Sequence, residues 1–269
     1  MFFTDTHAHL HMRPLSFRAA DAVKKAAEQN VRRIVTIGID LEDSKRALEF
    51  ASGYTGVYAA IGVHPHDAEG FQFAQLGAFE RLLSSPKVIA VGEVGLDFYR
   101  NRSPRDKQTE VFSLMVDMAL AAELPLALHT RESSKETLEV LNSIVGERDH
   151  PILFHCFNGD SAILEWGMRR NAVYFSFAGN VTYPKATQLH DALARLPIER
   201  LLIETDCPYL TPVPLRGKEN EPAYLTFTAE YVSRAKKISI GELGSRLEEN
   251  FISFFGKRPA GSAAAFKDN

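Results

Sequence analysis

The N-terminal stretch TDTHAHLH, residues 4–11, places His7, His9 and His11 at alternate positions. In an extended strand, side chains two residues apart point to the same face. Two imidazoles at this spacing can bind one ion through ring nitrogens, each at about 2.0–2.1 Å. The alternative is a polar strand face that contacts water, and this short motif alone does not decide between the two.

Other imidazole and carboxylate groups occur at or near the ends of later apolar runs. They are His64, Glu93, His129, His155 and Asp206. These groups are separated by tens of residues along the chain, so they could form one site only if the fold brings the ends of these runs together. The order of the secondary-structure elements therefore decides whether a site exists.

Eight short runs rich in Val and Ile are typical of buried strands. They span residues 2–9, 32–39, 57–64, 88–96, 125–130, 151–157, 173–179 and 201–208. Amphipathic stretches separate them, the clearest at 104–123, where apolar residues recur at spacings of three and four. Strands that alternate with helices favour parallel pairing, and eight such units predict a single-domain α/β fold, the (β/α)₈ TIM barrel.

A doubly wound open sheet is the competing architecture, but the chain lacks the glycine-rich turn that such a fold often carries after its first strand. We expect extra C-terminal helices at 223–237 and 241–256. The barrel is predicted to occupy residues 1–256, with a poorly ordered tail at 257–269.

In a TIM barrel the active site lies at the C-terminal ends of the strands. The candidate residues would then converge there, which favours a metal site over a solvated strand face. Six ligands exceed the needs of one tetrahedral ion and suit two ions bridged by a carboxylate. We predict His7, His9 and Asp206 on one ion, His129 and His155 on the other, and Glu93 between them, with Mg²⁺, Mn²⁺ or Zn²⁺ as the metal.

Several motifs resemble the signatures of one known family. They are DTHAHL, IGVHPHDA, VGEVGLDFYR, LALHTRE, FHCFNG, ETDCPYLTPVPLRGKENEPAY and ENF, spread over residues 3–256. The sequence resembles the TatD family of metal-dependent deoxyribonucleases, within the amidohydrolase-like barrels. This resemblance implies a (β/α)₈ fold, a divalent-metal pair, hydrolysis of DNA phosphodiesters and the same six ligands. Many relatives carry Asp at the position of His11, which we interpret as a turn or supporting residue.

The remaining candidates have supporting roles. Asp206 is also predicted to orient the attacking water and accept its proton. His64 is expected to lie too far from the ions to bind them and to hold the scissile phosphate, assisted by Arg131. Glu204 is either a partner of a ligand or a buried acid neutralised by a neighbour. His66 is expected to be an exposed turn residue.

The composition excludes some classes of protein. The chain has 269 residues, is 45% hydrophobic and carries a net charge of -3, so any DNA must be attracted locally. No apolar run reaches the length of a membrane span, and no signal peptide is apparent. Two distant cysteines, Cys156 and Cys207, form no disulfide framework and are expected to be buried, which favours a cytoplasmic location. No obligate protein partner is predicted.

The expected substrate is DNA, single-stranded or at its ends. The basic stretches 99–107 and 216–218 follow predicted strands and could hold phosphates, or could be solvated faces. Four aromatic residues near the strand ends could stack on bases or belong to the core: Phe98, Tyr99, Phe157 and Tyr209.

Two other functions compete with DNA cleavage. The same site could hydrolyse an ester or amide, such as the ester of a D-aminoacyl-tRNA, because fold alone does not determine the substrate. Alternatively the metals could merely stabilise a non-catalytic binding protein. A structural metal site is closed by protein ligands, whereas a catalytic site keeps an open position.

Overall fold

A computed structural model describes residues 1–256 of the chain as an eight-stranded parallel barrel surrounded by helices. The strands are β1 Phe3–Ala8, β2 Val31–Ile37, β3 Val57–Ile61, β4 Val88–Asp97, β5 Leu126–Arg131, β6 Ile152–Phe154, β7 Val173–Phe177 and β8 Leu201–Ile203. All eight predicted strands are present, and the sheet runs in sequence order from β1 to β8. The predicted tail at 257–269 lies outside the described residues.

Nine α-helices are found within the described residues. They are α1 Ala19–Glu28, α2 Leu41–Ser52, α3 Leu76–Leu83, α4 Arg105–Ala122, α5 Ser134–Ile144, α6 Ser161–Met168, α7 Thr187–Arg195, α8 Leu225–Lys236 and α9 Ile240–Phe255. The helix predicted at 104–123 is α4, and the two predicted C-terminal helices are α8 and α9. No helix among residues 1–256 combines the length and apolar character that crossing a bilayer requires.

The barrel closes where β1 meets the segment after β8. The backbone N–H of Asp206 donates to the carbonyl of His7 at 2.9 Å, and the N–H of His9 donates to the carbonyl of Cys207 at 2.9 Å. A parallel bridge joins Ala8 to Cys207. The first and last segments of the barrel therefore lie side by side, which brings residues from the two ends of the barrel sequence into contact.

The strands bury both faces, as expected for a parallel sheet covered by helices. In β3, Val57, Ala59 and Ile61 pack in the cluster that includes the surrounding helices. The alternate residues Tyr58 and Ala60 pack in a second cluster, which fills the inside of the barrel.

Helix α9 contributes to this inner cluster through three buried aromatic residues: Phe251, Phe254 and Phe255. Tyr174, at the start of β7, donates its hydroxyl proton to Ser253 of α9 at 3.0 Å. The N-terminal ends of the strands are thus covered by apolar side chains. The opposite, C-terminal ends remain available for polar groups.

Three predicted strands end at least three residues earlier than expected. Strand β3 ends at Ile61, β6 at Phe154 and β8 at Ile203, so His64, His155 and Asp206 lie on the loops that follow. Cys156 and Asp206 have positive φ angles of 42° and 54°, which end extended structure. Glu204 and Asp206 therefore lie beyond the end of β8 although the predicted strand 201–208 included them, and both side chains still face the pocket.

Candidate metal centre

Six of the predicted side chains meet at the C-terminal end of the barrel. His7 lies in β1, Glu93 in β4 and His129 in β5. His9 and His155 directly follow β1 and β6, and Asp206 lies three residues after the end of β8. All six are buried or nearly so. Parallel strands in sequence order place their C-terminal ends at one rim, so these distant residues converge.

Glu93 lies at the middle of this cluster. Its Oε1 is 2.7 Å from His129 Nδ1 and 2.8 Å from His155 Nε2, and its Oε2 is 3.4 Å from His7 Nε2. One carboxylate therefore reaches histidines from β1, β5 and the end of β6. This is the position that the sequence predicted for a bridging ligand.

A second group surrounds Asp206. Its Oδ1 lies 3.5 Å from His9 Nε2 and 3.8 Å from His7 Nε2. Geometry alone delimits three sets of ligand atoms that could hold an ion: His7, His9 and Asp206; His64, Glu93 and His129; and His7, His155 and Glu204. The first set is the one that the sequence predicted.

The atoms of this cluster fit a divalent cation. Both ring nitrogens of His7, Nδ1 of His9 and Oε2 of Glu204 are buried and have no hydrogen-bond partner within the described residues. Buried polar atoms normally have partners, so orphaned ones require an explanation such as an ion. Two ligands of one ion stand about 2.8–3.5 Å apart when each bond is 2.0–2.2 Å long. The N···O separations around Glu93 lie in or close to this range.

The protein side chains already balance their charges within the pocket. Burial would raise the pKa of Glu93, but the neighbouring imidazoles of His155 and His64 and the hydrogen bonds from His129 and His155 outweigh burial and hold the pKa well below its usual value. Burial likewise opposes protonation of His155, but Glu93 and Glu204 raise the pKa of its imidazole. A cation supplied from solution would take the place of these protons.

Glu204 is fully buried behind His155. Its Oε1 lies 3.3 Å from His155 Nδ1 and accepts the backbone N–H of Cys156 at 2.7 Å. A carboxylate that accepts the Nδ1 proton leaves Nε2 free to bind a metal. Of the two interpretations of Glu204, its contact with His155 supports the one in which Glu204 orients a metal ligand.

His64 lies closer to the cluster than predicted, with its Nε2 3.5 Å from Glu93 Oε1. Its Nδ1 accepts the backbone N–H of His66 at 3.1 Å. Burial lowers the pKa of His64 to about 4, so the ring is neutral near pH 7 and its single proton lies on Nε2. A protonated nitrogen donates hydrogen bonds and does not bind metal, so His64 presents a donor to the pocket.

Asp97 and His66 form a support that the sequence did not predict. Asp97 Oδ2 lies 2.9 Å from His66 Nε2 and 3.3 Å from His129 Nε2. His66 is therefore not an exposed turn residue, because its side chain is largely buried against this carboxylate. In the sequence, Asp97 directly follows the predicted strand 88–96 and lies in the motif VGEVGLDFYR, but neither signal reveals its partners.

Asp5 is a second missed residue. Its carboxylate accepts hydrogen bonds from the backbone N–H of Thr205 at 2.9 Å and from the hydroxyl of Thr205 at 2.5 Å. Burial raises the pKa of Asp5 to about 7. These bonds fix the segment that carries Glu204 and Asp206 against β1.

His11 lies outside the cluster. Its Nδ1 is 2.9 Å from the hydroxyl of Thr36 and its Nε2 is 3.0 Å from Asp43 Oδ2. These contacts tie the loop after β1 to β2 and α2. Of the two cysteines, Cys207 is buried as predicted, whereas Cys156 is partly exposed, and both are free thiols.

The four aromatic candidates separate into two kinds. Phe98 and Phe157 are buried in the core, so neither can stack on a base. Tyr99 and Tyr209 are exposed. Arg131, the last residue of β5, is also exposed, and its guanidinium lies 4.1 Å from the centre of the Tyr99 ring.

Comparison with known proteins gives one consistent result. The family model described as "TatD related DNase" matches residues 4–256. An uncharacterised metal-dependent hydrolase of Bacillus subtilis, YabD, is 37% identical over 251 residues, covering 93% of this chain and 98% of that protein. An uncharacterised metal-dependent hydrolase of Mycobacterium tuberculosis, TatD, is 37% identical over 244 residues, covering 84% of this chain and 90% of that protein.

A solved structure is similar over nearly its whole length. The crystal structure of YjjV, a TatD homologue from Escherichia coli, superimposes with a TM-score of 0.85 at 27% sequence identity. The match covers 94% of this chain and 97% of that one. The barrel and its order of strands are thus shared with a protein of known structure.

Proposed function

Because the chain belongs to the TatD-related DNase family and is a metal-dependent hydrolase, we propose that it hydrolyses phosphodiester bonds of DNA. The observation that carries this proposal is the cluster around Glu93 at the open end of the barrel. A cluster in this position can bind cations and still admit a substrate, because the loops leave the C-terminal rim accessible.

Two divalent ions would be held by the six predicted ligands. His7, His9 and Asp206 would hold one, His129 and His155 the other, and Glu93 would contact both. Such ions, when bound, neutralise charge on a phosphate and lower the pKa of a coordinated water. The nitrogen-rich ligand set favours Zn²⁺ or Mn²⁺ over Mg²⁺.

Asp206 is the carboxylate best placed to act on the attacking water. Its side chain is 14% exposed, whereas those of Glu93 and Glu204 are 5% and 0% exposed. A carboxylate within hydrogen-bond reach of a water can orient it and accept its proton. Asp206 therefore combines contact with His9 and access to the solvent side of the pocket.

His64 and Arg131 would bind the scissile phosphate. Nε2 of neutral His64 lies 3.5 Å from Glu93 Oε1, at the edge of the cluster, and its proton can be donated to a phosphate oxygen. Arg131 shares the strand parity of His129, so its guanidinium stands on the same side of β5 above that histidine. Arginine suits phosphate because its planar group donates two parallel hydrogen bonds.

Local positive charge offsets the acidic balance of the whole chain. Arg216 and Lys218 are exposed in the loop after β8, and Arg131 lies at the end of β5. With the bound cations, these groups would attract a polyanion to the rim despite the net charge of -3. The two free cysteines are consistent with action in a reducing compartment such as the cytoplasm.

The direct test is digestion of end-labelled single- and double-stranded DNA with Mg²⁺, Mn²⁺ or Zn²⁺, with and without EDTA. We expect cleavage that EDTA abolishes. Asp206→Asn should lower kcat by about 100-fold or more, the usual contribution of a general base. The matched control is Asp117→Asn, on the exposed face of α4, which should retain wild-type activity.

A D-aminoacyl-tRNA incubated under the same conditions provides the competing outcome. Release of the amino acid without any cleavage of DNA would contradict the proposal and favour an esterase. If Asp206→Asn kept full activity while metal content was unchanged, the role of Asp206 would be wrong although the nuclease proposal would stand.

A further inference from the structure

Two large aromatic side chains at the barrel rim are exposed without an evident structural need. Tyr99 is 54% exposed and Tyr209 is 58% exposed. An aromatic ring that packs in a core stabilises the fold through its buried area, whereas these two rings forgo most of that gain. Exposed aromatic rings beside a catalytic pocket are characteristic of ligand contacts.

The two tyrosines lie on opposite sides of the metal cluster. Tyr99 follows β4, and its ring contacts Arg131 of β5, whose backbone is paired with Asp97. Tyr209 follows β8, and its ring centre is 6.2 Å from that of His9, after β1. In a closed barrel of eight strands in sequence order, the position between β4 and β5 faces the position between β8 and β1.

The backbone of each tyrosine is held by residues that contact the cluster. Next to Tyr99, the N–H of Arg100 donates to Asp97 Oδ1 at 2.7 Å, and Asp97 also contacts His129. The N–H of Tyr209 donates to the carbonyl of Asp206 at 2.9 Å.

Buried Asn220 completes the support on the second side, because its Nδ2 donates to the carbonyl of Tyr209 at 2.6 Å and to that of Thr205 at 2.9 Å. Both rings therefore project from fixed turns, and their positions relative to the ligands are set before substrate binds. A binding surface that is ordered in advance loses less entropy on binding.

The charges around the rim favour a polyanion that passes between Tyr99 and Tyr209. Arg131 covers one face of Tyr99 and leaves its positive group beside the ring. On the opposite side of the cluster, the guanidinium of Arg216 lies 4.4 Å from the centre of the Tyr183 ring. Arg216 belongs to the loop after β8 that also carries Tyr209. The loops after β2 and β3 instead line a cavity with four acidic residues: Asp40, Glu42, Asp67 and Glu69. A phosphate backbone would avoid that side.

We propose that Tyr99 and Tyr209 are stacking platforms for bases on the two sides of the scissile phosphodiester of single-stranded DNA. This inference depends on the proposed nuclease function and adds that the DNA substrate must be single-stranded. In a duplex, base faces are covered by neighbouring pairs, so only an unpaired strand can stack on both rings. Nucleotides on each side of the cleaved bond would then contribute to binding.

The test compares two oligomers that carry the same phosphates, a normal single strand and one in which every base is replaced by hydrogen. Steady-state kcat and KM are measured with Mn²⁺ for the wild type, Tyr99→Leu, Tyr209→Leu and the double variant. We expect the wild type to prefer the strand with bases, and each single change to reduce that preference about tenfold by raising KM for the normal strand. Tyr99→Trp and Tyr209→Trp keep an aromatic ring at each position and should retain the wild-type preference for the strand with bases.

Phe73→Leu is the matched control, because Phe73 is as exposed as Tyr209 but precedes α3, away from the cluster. It should leave the preference unchanged. If the wild type cleaves DNA and the leucine variants keep the full preference for bases, the platforms are refuted and the nuclease function stands. If the wild type cleaves no DNA with any metal, the proposed function fails, and this inference fails with it.

Discussion

At the scale of single residues, the pocket is organised by carboxylates that lie behind the histidines proposed as metal ligands. Asp97 contacts His129, Glu204 contacts His155, and Asp5 holds the turn that precedes Asp206. Each of these contacts fixes which ring nitrogen faces the pocket or where a ligand stands. The ligand types are readable in the sequence, but their partners come from strands that meet only in the fold.

Glu204→Gln should weaken metal binding by about 10- to 100-fold, the usual effect of removing a group that orients a ligand. Glutamine keeps the bond from the Cys156 N–H but carries no charge to stabilise His155. Calorimetric titration of the metal-free protein with Mn²⁺ measures this loss. The control is Glu80→Gln on the exposed face of α3, and wild-type affinity in Glu204→Gln would refute the role.

At the scale of elements, the sequence predicted the strands far better than their ends. All eight apolar runs form strands, because buried parallel strands need continuous Val and Ile. The predicted ends of β6 and β8 lie beyond the observed ends, because Cys156 and Asp206 adopt positive φ in the turns that follow, and no residue type signals that. The site nevertheless forms, since the residues just past a strand still lie at the rim.

The role of α9 was not predictable from its amphipathic pattern. The pattern indicates one apolar face but not what that face covers. In the fold, Phe251, Phe254 and Phe255 fill the inside of the barrel near the starts of the strands. The polar cluster thus occupies one end of the barrel, and a hydrophobic core supports it from the other.

Phe254→Ala should lower the free energy of unfolding by about 3–5 kcal/mol, because a fully buried phenylalanine leaves a cavity. Guanidinium unfolding followed by circular dichroism measures the change. Ile252→Ala serves as the control, since Ile252 lies on the exposed face of the same helix and should change stability far less. A loss below about 1 kcal/mol in Phe254→Ala would show that α9 does not support the barrel core.

At the scale of the whole molecule, charge is distributed unevenly around the rim. The acidic cavity is lined by residues that follow β2 and β3, whereas Arg131 is the last residue of β5 and Arg216 lies in the loop after β8. The net charge of -3 conceals this asymmetry, because a sum over the chain carries no position. The sequence could show that basic stretches follow strands, but only the closed barrel places Arg131 and Arg216 on opposite sides of the cluster and away from the acidic cavity.

Cleavage of single-stranded DNA should consequently weaken as salt increases. A plot of log(kcat/KM) against log[KCl] should have a negative slope, because phosphate contacts release counterions. Arg131→Ala should make that slope less negative by about one, the contribution of one phosphate contact. Lys135→Ala, at the exposed start of α5, should leave the slope unchanged. A slope of zero in the wild type would exclude electrostatic binding of a polyanion at the rim.

The most direct measurement of the metal centre is anomalous X-ray scattering from crystals of the protein soaked in Mn²⁺. Two ions held as proposed predict one peak among His7, His9 and Asp206 and a second among Glu93, His129 and His155. Absence of any peak at these residues under saturating Mn²⁺, with ordered side chains, would contradict the assignment of the cluster as a metal centre.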